Sequence, residues 1–397
     1  MSQVNSYLRR THLKLFHVAV LLVAATVICM PSRAAAQAIT MQALTTFGSN
    51  GWLQPSAFPG ATGITTTGTG DRIRSIAFNS SSGNLLYASG TSVYSMNGTS
   101  GSNFTELSNS GVSGGSASGG ITRVLSTVAV TSDGIIYGSN LSTNTGAAPF
   151  KVYRWASEGS TPTVSYTGNA GLANVRAGDD IAAIGSDASG LLGFGYGSGV
   201  TSGTFTGVNS NGFATVTTGN AGTATGVTPI SGSPAPANGQ FRLGMAFVNS
   251  TSVIGTQNSA ILASATFSGA TGGLVSSVTL TNGGSQRGVG YGTAYGEPLL
   301  ATIDTGNNAV RLYNATSLAS PTLLSTLNLT TGTNSNANGT AQVVFGSLSG
   351  QPVLYALNSN NGIQAFQIVP EPTTTLAAGV CTAGLAALML RRRARKS

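Results

Sequence analysis

The chain has 397 residues, 7% of them charged, and a formal net charge of +8. The excess positive charge lies at the two ends, since residues 37–370 contain nine basic and nine acidic residues. A neutral body lacks the basic surface on which nucleic-acid binding depends, so this class of partner is excluded.

The same division applies to histidine and cysteine. His12, His17 and Cys29 precede residue 37, and Cys381 follows residue 370. The body therefore has no disulfide, thiolate nucleophile, imidazole base or zinc site with nitrogen or sulfur ligands. Its stability must come from a buried core, and its length suffices for one large domain or two small ones.

Residues 1–36 have the three parts of a secretory signal peptide: a basic start, an apolar segment and small residues before the cleavage point. The apolar segment spans residues 15–30 and is predicted to form a helix. Ala34 and Ala36 supply the small residues of the cleavage pattern, so cleavage is expected after Ala36 and the mature chain would begin at Gln37.

The basic start leaves the export route open. Arg9 and Arg10 partly resemble a twin-arginine motif, although His12 stands where phenylalanine is usual. The alternative is the general secretory translocon. Either route carries the body out of the cytoplasm.

The body contains a loose repeat of an apolar run, a polar turn, a second apolar run and one or two further strands. Alternation of this kind, without a sustained period of 3.6 residues, predicts strands rather than helices. The repeat spacings of 51, 56, 61, 46 and 54 residues are close to the length of a propeller blade. The six units begin at residues 73, 124, 180, 241, 287 and 341.

We therefore predict an all-β fold for residues 37–368, a six-bladed β-propeller. The last unit has three clear strands, and a strand within residues 38–47 would complete it and close the ring. A seventh blade within residues 200–240 is left open, as are a pair of β-sandwiches and a β-solenoid. Residues 108–120 and 221–239, rich in small and polar residues, are predicted to be loops.

The C-terminal 29 residues have three parts. Val369, Pro370, Glu371 and Pro372 come first, followed by 18 uncharged residues at 373–390. That length is about the minimum for a helix that crosses a bilayer. A basic cluster at such an end is expected to stay in the cytoplasm. The cluster consists of Arg391, Arg392, Arg393, Arg395 and Lys396.

This tail resembles the PEP-CTERM sorting signal of bacteria that produce exopolysaccharide. The resemblance covers residues 369–397 and implies recognition by an exosortase-type membrane protease. It also implies removal of the tail and delivery to the cell surface or extracellular matrix of a Gram-negative-type bacterium. An ordinary C-terminal membrane anchor is the alternative.

Glycoside hydrolysis needs two facing carboxylates, and the nine acidic residues of the body could supply them. Adjacent Asp179 and Asp180 stand where a blade begins, a frequent place for turn-forming aspartate, and we interpret them as turn residues. Neighbours on a strand point to opposite faces, so the two carboxylates are not expected to form one site. A carboxylate-only glycosidase or lyase remains the alternative function. Its candidate residues are Asp71, Asp179, Asp180, Asp304 and Glu297.

No metal ligand set or cofactor is predicted. The alternative is a weak calcium site that uses Asp133 or Asp187 with backbone carbonyls, although neither stretch matches a full calcium-binding loop. Most aromatic residues lie in predicted strands and are expected to pack between blades. Trp52, in a glycine-rich segment, is the candidate glycan contact. The sequence thus favours a non-enzymatic exported protein with a structural, adhesive or glycan-binding role, whose partner would be extracellular polysaccharide.

Overall fold

The computed structural model describes residues 38–59, 73–118, 121–169, 174–198, 212–222, 224–229, 240–269, 271–328, 336 and 340–371. The chain divides into two compact units, residues 39–369 and residues 1–38 with 370–397. The predicted signal helix, the predicted transmembrane helix and the basic tail lie outside the described residues. Within the described ranges, no helix has the length and apolar character needed to cross a membrane.

Residues 39–369 form a six-bladed β-propeller, as predicted. Two strands precede the first blade, β1 (Ile39–Ala43) and β2 (Trp52–Leu53), and a 3₁₀ turn (Pro55–Ala57) follows them. Blade 1 consists of β3 (Ser75–Asn79), β4 (Asn84–Ala88), β5 (Val93–Asn97) and β6 (Thr105–Glu106). A two-stranded sheet of β7 (Ala117–Ser118) and β8 (Ile121–Thr122) leads to blade 2. Blade 2 consists of β9 (Thr127–Val130), β10 (Ile136–Ser139), β11 (Phe150–Trp155) and β12 (Thr163–Gly168).

Blade 3 has five strands because its first strand is interrupted. These are β13 (Val175–Ala177), β14 (Ala182–Ile184), β15 (Leu191–Ser198), β16 (Gly212–Thr217) and β17 (Ala224–Pro229), and both β13 and β14 pair with β15. Blade 4 consists of β18 (Gly244–Asn249), β19 (Ser252–Thr256), β20 (Ile261–Ser268) and β21 (Thr271–Thr279). Blade 5 consists of β22 (Gln286–Ala294), β23 (Glu297–Asp304), β24 (Ala309–Asn314) and β25 (Thr322–Asn328). Blade 6 contains β26 (Ala341–Leu348), β27 (Gln351–Asn358) and β28 (Gly362–Pro370).

The two ends of the propeller are joined within blade 6. Strand β1 pairs with β28 and supplies the fourth strand of that blade. The predicted closure by a strand within residues 38–47 is confirmed. Ring closure removes the free edge that the third strand of blade 6 would otherwise expose.

Tight hairpins connect the first two strands of blades 5 and 6. Ala294 pairs with Glu297, so the loop has two residues, Tyr295 and Gly296, with φ of 53° and 80°. The equivalent loop of blade 6, Ser349-Gly350, has φ of 50° and 80°. Two successive residues with positive φ are typical of the type I′ turn that fits the twist of antiparallel strands.

The apolar core is divided into six clusters, one between each pair of neighbouring blades. Trp155 and Leu86, for example, lie in the cluster between blades 1 and 2. The cluster between blades 5 and 6 also contains Ile39 and Met41 of β1. The ring is therefore held together by face-to-face packing of sheets, since each strand buries alternate side chains against one neighbour or the other.

The structure corrects part of the loop prediction for residues 221–239 and answers the question of a seventh blade. Residues 224–229 form a strand, β17, and were wrongly assigned to a loop because alanine, glycine, threonine and proline are typical of loops. Pairing with β16 overrides this local preference. Strands β16 and β17 belong to blade 3, so the described part of residues 200–240 forms no seventh blade. Most of residues 108–118 lack regular structure, as predicted, and β7 is the exception.

Candidate functional site

The first strands of the blades surround a central channel with a volume of about 190 Å³. These inner strands are β3, β9, β14, β18, β22 and β26, and each one contacts the inner strands of both neighbouring blades. Ligand pockets usually enclose about 300–1,000 Å³. The interior of the channel is therefore too small for a sugar chain, and a ligand of that size would bind at a mouth.

Three polar side chains link the blades at the end of the channel where the inner strands begin. Gln342 Oε1 accepts hydrogen bonds from Ser75 Oγ and from the Ile76 backbone N–H, both at 2.7 Å. Gln342 Nε2 donates to Asp180 Oδ1 at 3.1 Å. The Val128 N–H donates to Ser75 Oγ at 2.9 Å.

Asp180 extends this network to blade 4. Its carboxylate accepts the backbone N–H groups of Ile181 at 2.8 Å and of Met245 at 2.7 Å. Ser75, Asp180 and Gln342 thus connect blades 1, 2, 3, 4 and 6. They also satisfy backbone donors on the channel edge of the inner strands, which have no further strand to pair with.

Arginines recur just outside this network. Five of the six blades carry an arginine at or shortly before the start of the inner strand, and Gln342 takes the place of an arginine in blade 6. The five are Arg74, Arg123, Arg176, Arg242 and Arg287. We call this end of the propeller the arginine face and the other end the opposite face.

Three of these arginines converge on one carboxylate. Asp179 Oδ1 accepts hydrogen bonds from Arg74 Nη2 at 2.8 Å and from Arg176 Nη2 at 2.6 Å. Asp179 Oδ2 accepts from Arg176 Nε at 2.6 Å and from Arg242 Nη1 at 3.5 Å. The side chains of Arg74 and Asp179 are each 1% exposed, whereas those of Arg176 and Arg242 are 23% and 25% exposed.

The two neighbouring carboxyl groups have opposite pKa shifts. Burial alone would raise the pKa of Asp179, but the Arg176 guanidinium, with Arg74 and Arg242, lowers it well below the usual range. Burial raises the pKa of Asp180 to about 7, against the lowering effect of the Met245 and Ile181 backbone donors, and the negative charge of Asp179 adds to the increase. Asp179 is therefore a permanent anion, and Asp180 changes charge near neutral pH.

The neutral body is electrically polarised between its two faces. The described part of residues 39–369 contains eight basic and eight acidic residues. The half nearer the arginine face holds seven of the basic residues, Arg74, Arg123, Lys151, Arg176, Arg242, Arg287 and Arg311, with four acids, Glu106, Asp179, Asp180 and Asp304. The other half holds Arg154 with Asp133, Glu158, Asp187 and Glu297. An anion is consequently attracted to the arginine face.

The glycosidase candidates are not gathered into one cleft. Asp304 is fully buried and accepts a 2.9 Å hydrogen bond from Arg311. Glu297 begins the second strand of blade 5, at the opposite face. Asp71 lies outside the described residues. Asp179 and Asp180, although adjacent, bond to different partners, as expected for neighbours that point in different directions.

The calcium candidates have other partners. Asp187 forms a two-point salt bridge with Arg154, at 2.7 Å to each carboxylate oxygen. Asp133 accepts hydrogen bonds from Thr131 Oγ1 and from the Asp187 N–H. Within the ranges that the structure covers, no group of three or more acidic, histidine or cysteine side chains forms a metal site.

Trp52 lies at the arginine face. It occupies the short strand β2, pairs with Gln364 of β28 and is half-buried. Its Nε1 donates to the Asn361 carbonyl at 3.0 Å, in the turn between β27 and β28. Trp52 therefore remains the candidate glycan contact. Most other aromatics pack between blades as predicted: Trp155, Tyr87, Tyr137, Tyr153, Tyr196, Tyr313 and Tyr355 are all buried.

The start of the sorting motif coincides with the end of the last strand. Val369 and Pro370 are the final residues of β28, and the Glu371 N–H donates to the Ala38 carbonyl at 2.6 Å. Pro372 and the basic cluster fall beyond the described residues, as do Ala34, Ala36 and Gln37 at the predicted signal cleavage point.

The arginine convergence was missed by the sequence analysis. The arginines lie in separate repeat units, and side chains from blades 1, 3 and 4 meet only when the blades are arranged in a ring. Superposition of the six unit starts would have revealed an arginine near five of them, with Gln342 in the sixth.

No protein-family model matches the sequence, and no curated protein matches it. Solved structures share its fold. A DUF4623-family protein from Bacteroides eggerthii has a TM-score of 0.54 and 15% identity, over 78% of this chain and 73% of that chain. The α-L-arabinanase of Penicillium chrysogenum, complexed with arabinobiose, has a TM-score of 0.46 and 11% identity, over 77% and 95%.

A further similar structure is the GH93 α-L-arabinofuranosidase of Fusarium graminearum, also complexed with arabinobiose. Its TM-score is 0.43 and its identity 10%, over 75% of this chain and 93% of that chain. At identities this low, structural similarity shows the fold alone, because one fold serves many functions.

Proposed function

We propose that this protein is an exported β-propeller that binds extracellular polysaccharide without cleaving it. The signal-peptide pattern of residues 1–36 and the PEP-CTERM resemblance of residues 369–397 support export, processing by an exosortase-type protease, and retention at the cell surface or in the matrix. The export translocon and the protease would be its transient partners, and a matrix glycan its lasting one.

The observation that carries this proposal is the position of Asp179 between Arg74, Arg176 and Arg242 at the channel mouth. A glycosidase needs one carboxyl group that donates a proton and a second that acts as nucleophile or base on the other side of the bond. A carboxylate enclosed by three guanidinium groups is held as a fixed anion, since protonation would sacrifice its ion pairs. The arrangement favours recognition over hydrolysis.

A second function, carboxylate-only glycoside hydrolysis, is supported by one observation. Asp180 has its pKa raised to about 7 beside the ionised Asp179, and carboxyl pairs with pKa values driven apart are typical of acid–base catalysis. Against this role, Asp180 is 3% exposed and its oxygens already accept hydrogen bonds from three donors.

The two functions are separated by one assay on the purified full-length chain. Binding to a glycan array is measured with and without calcium, and the release of reducing ends from the same glycans is measured in parallel. Binding without release supports the proposal. Release that is abolished by Asp180→Asn would instead establish the enzyme, and absence of both signals would contradict glycan recognition altogether.

The export part of the proposal has its own test. Substitution of Pro370, Glu371 and Pro372 by alanine should cause the uncleaved precursor to accumulate in the producing cell. Normal processing of this variant, or a stable full-length wild-type chain in the inner membrane, would contradict exosortase processing.

A further inference from the structure

Arg242 is the least engaged of the three arginines around Asp179. Its hydrogen bond to Asp179 is 3.5 Å long, compared with 2.8 Å for Arg74 and 2.6 Å for Arg176. Its side chain is 25% exposed and therefore partly accessible from solvent. A contact of 3.5 Å is at the outer limit of a hydrogen bond and contributes little.

The Arg242 side chain packs against Gly197 of β15. Gly197 of β15 pairs with Arg176 of β13. A Cβ atom at Gly197 would lie 3.1 Å from Arg242 Cδ and 3.4 Å from its Nε. The absence of a side chain at Gly197 thus leaves room for the Arg242 stem beside the strand that pairs with Arg176. Both guanidinium groups donate to the same oxygen, Asp179 Oδ2.

Arg176 and Arg242 share one carboxylate, Asp179, which does not neutralise both of their positive charges. Arg176 binds Asp179 through two short hydrogen bonds, and the buried Arg74 forms a salt bridge with the same carboxylate. Burial and the positive charge of Arg176 both lower the pKa of Arg242. A second anion at the exposed side of Arg176 and Arg242 would relieve this repulsion, because charged groups in a partly desolvated site interact more strongly than in water.

We propose that Arg176 and Arg242 form a binding site for the carboxylate of an acidic sugar residue. The planar fork of a guanidinium matches the two oxygens of a carboxylate, and the bidentate bond from Arg176 to Asp179 shows that this cluster already holds a carboxylate in that way. The site rests on the proposed polysaccharide-binding function and specifies its ligand class as polyuronate.

The charge distribution over the whole propeller agrees with this assignment. Seven of the eight described basic residues lie in the half of the propeller nearer this site. A polyanion would therefore be oriented toward the arginine face before contact, and its binding should weaken as salt screens the field. Trp52 lies on the same face, beside β28 of blade 6.

The test measures binding of the purified full-length chain to polygalacturonate, neutral dextran, dextran sulfate and monomeric galacturonate by isothermal titration calorimetry. Arg242→Gln should weaken polygalacturonate binding about tenfold or more, as expected for loss of a charged hydrogen-bond donor. Lys151→Gln is the matched control, since it removes one positive charge from the same half of the propeller but on the third strand of blade 2. The Lys151→Gln substitution should change the affinity less than about twofold, because Lys151 is partly exposed and its charge acts on the site only through a screened field.

Several results would overturn the assignment. Equal losses in Arg242→Gln and Lys151→Gln would mean that only the general field matters, and tighter binding of dextran sulfate would identify a sulfate rather than a carboxylate site. Tight binding of galacturonate alone would identify a small-molecule site. If wild-type protein binds neutral dextran and not polygalacturonate, this inference fails while glycan binding stands. Binding to no glycan contradicts both proposals.

Arg242→Lys replaces Arg242→Gln if the latter does not fold. It keeps the positive charge but loses the planar fork of the guanidinium group, and it should still lose most of the affinity for polygalacturonate.

Discussion

Arg74 and Asp179 form a buried salt bridge of 2.8 Å although they lie 105 residues apart and in blades 1 and 3. Arg74 Nε also donates a 3.1 Å hydrogen bond to Ser126 Oγ at the start of blade 2. The Arg74 side chain therefore links three consecutive blades at the channel mouth. The charged cluster is both the candidate binding site and a contact that stabilises the ring.

Substitution of Asp179 tests how much this charged cluster contributes to the stability of the ring. Asp179→Asn leaves the guanidinium groups of Arg74, Arg176 and Arg242 close together without an anion between them. Breaking a buried ion pair in this way should lower the free energy of unfolding by about 3–5 kcal/mol. The measurement is urea unfolding followed by circular dichroism.

The control for this substitution is Asp187→Asn, which removes a carboxylate that is 21% exposed and paired with one arginine, Arg154. The decrease in the free energy of unfolding should be clearly smaller, because an ion pair that is partly in contact with water contributes less than a fully buried one. Equal decreases in the free energy of unfolding in the two variants would contradict the interpretation that Asp179 contributes more because three arginines converge on it.

Asp180 makes stability depend on pH, because its buried carboxyl group has a raised pKa in the folded protein. Its pKa of about 7 in the folded protein exceeds the ordinary 3.8, so the folded state binds the proton more tightly than the unfolded state. The resulting stabilisation is fully present below about pH 4 and is lost as pH rises through 7. The free energy of unfolding should fall by up to about 4 kcal/mol across that window.

This prediction is checked by urea unfolding at intervals between pH 5 and pH 8. Asp180→Asn should flatten the dependence whatever its absolute stability, since an amide does not titrate. Asp187→Asn should keep the wild-type slope, because the hydrogen bond from Arg154 lowers the pKa of the Asp187 carboxyl group, which therefore stays ionised between pH 5 and pH 8. A slope that survives in Asp180→Asn would assign the titration elsewhere.

The blade count, the blade boundaries and the closing strand could be predicted from the sequence because each depends on local alternation and on a period of about 50 residues. The predicted unit starts at residues 73, 241 and 341 lie within three residues of observed inner strands. The arginine cluster could not be predicted in this way, since Arg74, Arg176 and Arg242 become neighbours only through the ring. Local composition also hid β17, whose strand character comes from pairing with β16.

The hairpin at Ser349-Gly350 offers a test of backbone conformation alone. Gly350 has φ of +80°, and a Cβ atom there would meet no atom within 4 Å. Gly350→Ala should therefore cost about 1–2 kcal/mol of stability through the left-handed backbone, with no steric contribution from neighbours. Gly159 also has open space but no positive φ, so Gly159→Ala should change stability by less than about 0.5 kcal/mol. Similar effects at the two positions in urea unfolding would contradict the type I′ assignment.

Closure of the ring by β1 can be tested at a single side chain. Met41 is 3% exposed and belongs to the cluster between blades 5 and 6, whereas the next residue on the strand, Gln42, is exposed. Met41→Ala should lower the free energy of unfolding by about 2–5 kcal/mol, because a buried side chain is lost and a cavity remains. Gln42→Ala, one position along the same strand, keeps the buried face intact and should be close to neutral. If the two substitutions have equal effects in urea unfolding, β1 does not contribute its inner face to the core, and blade 6 must be held closed by the other strands of its sheet.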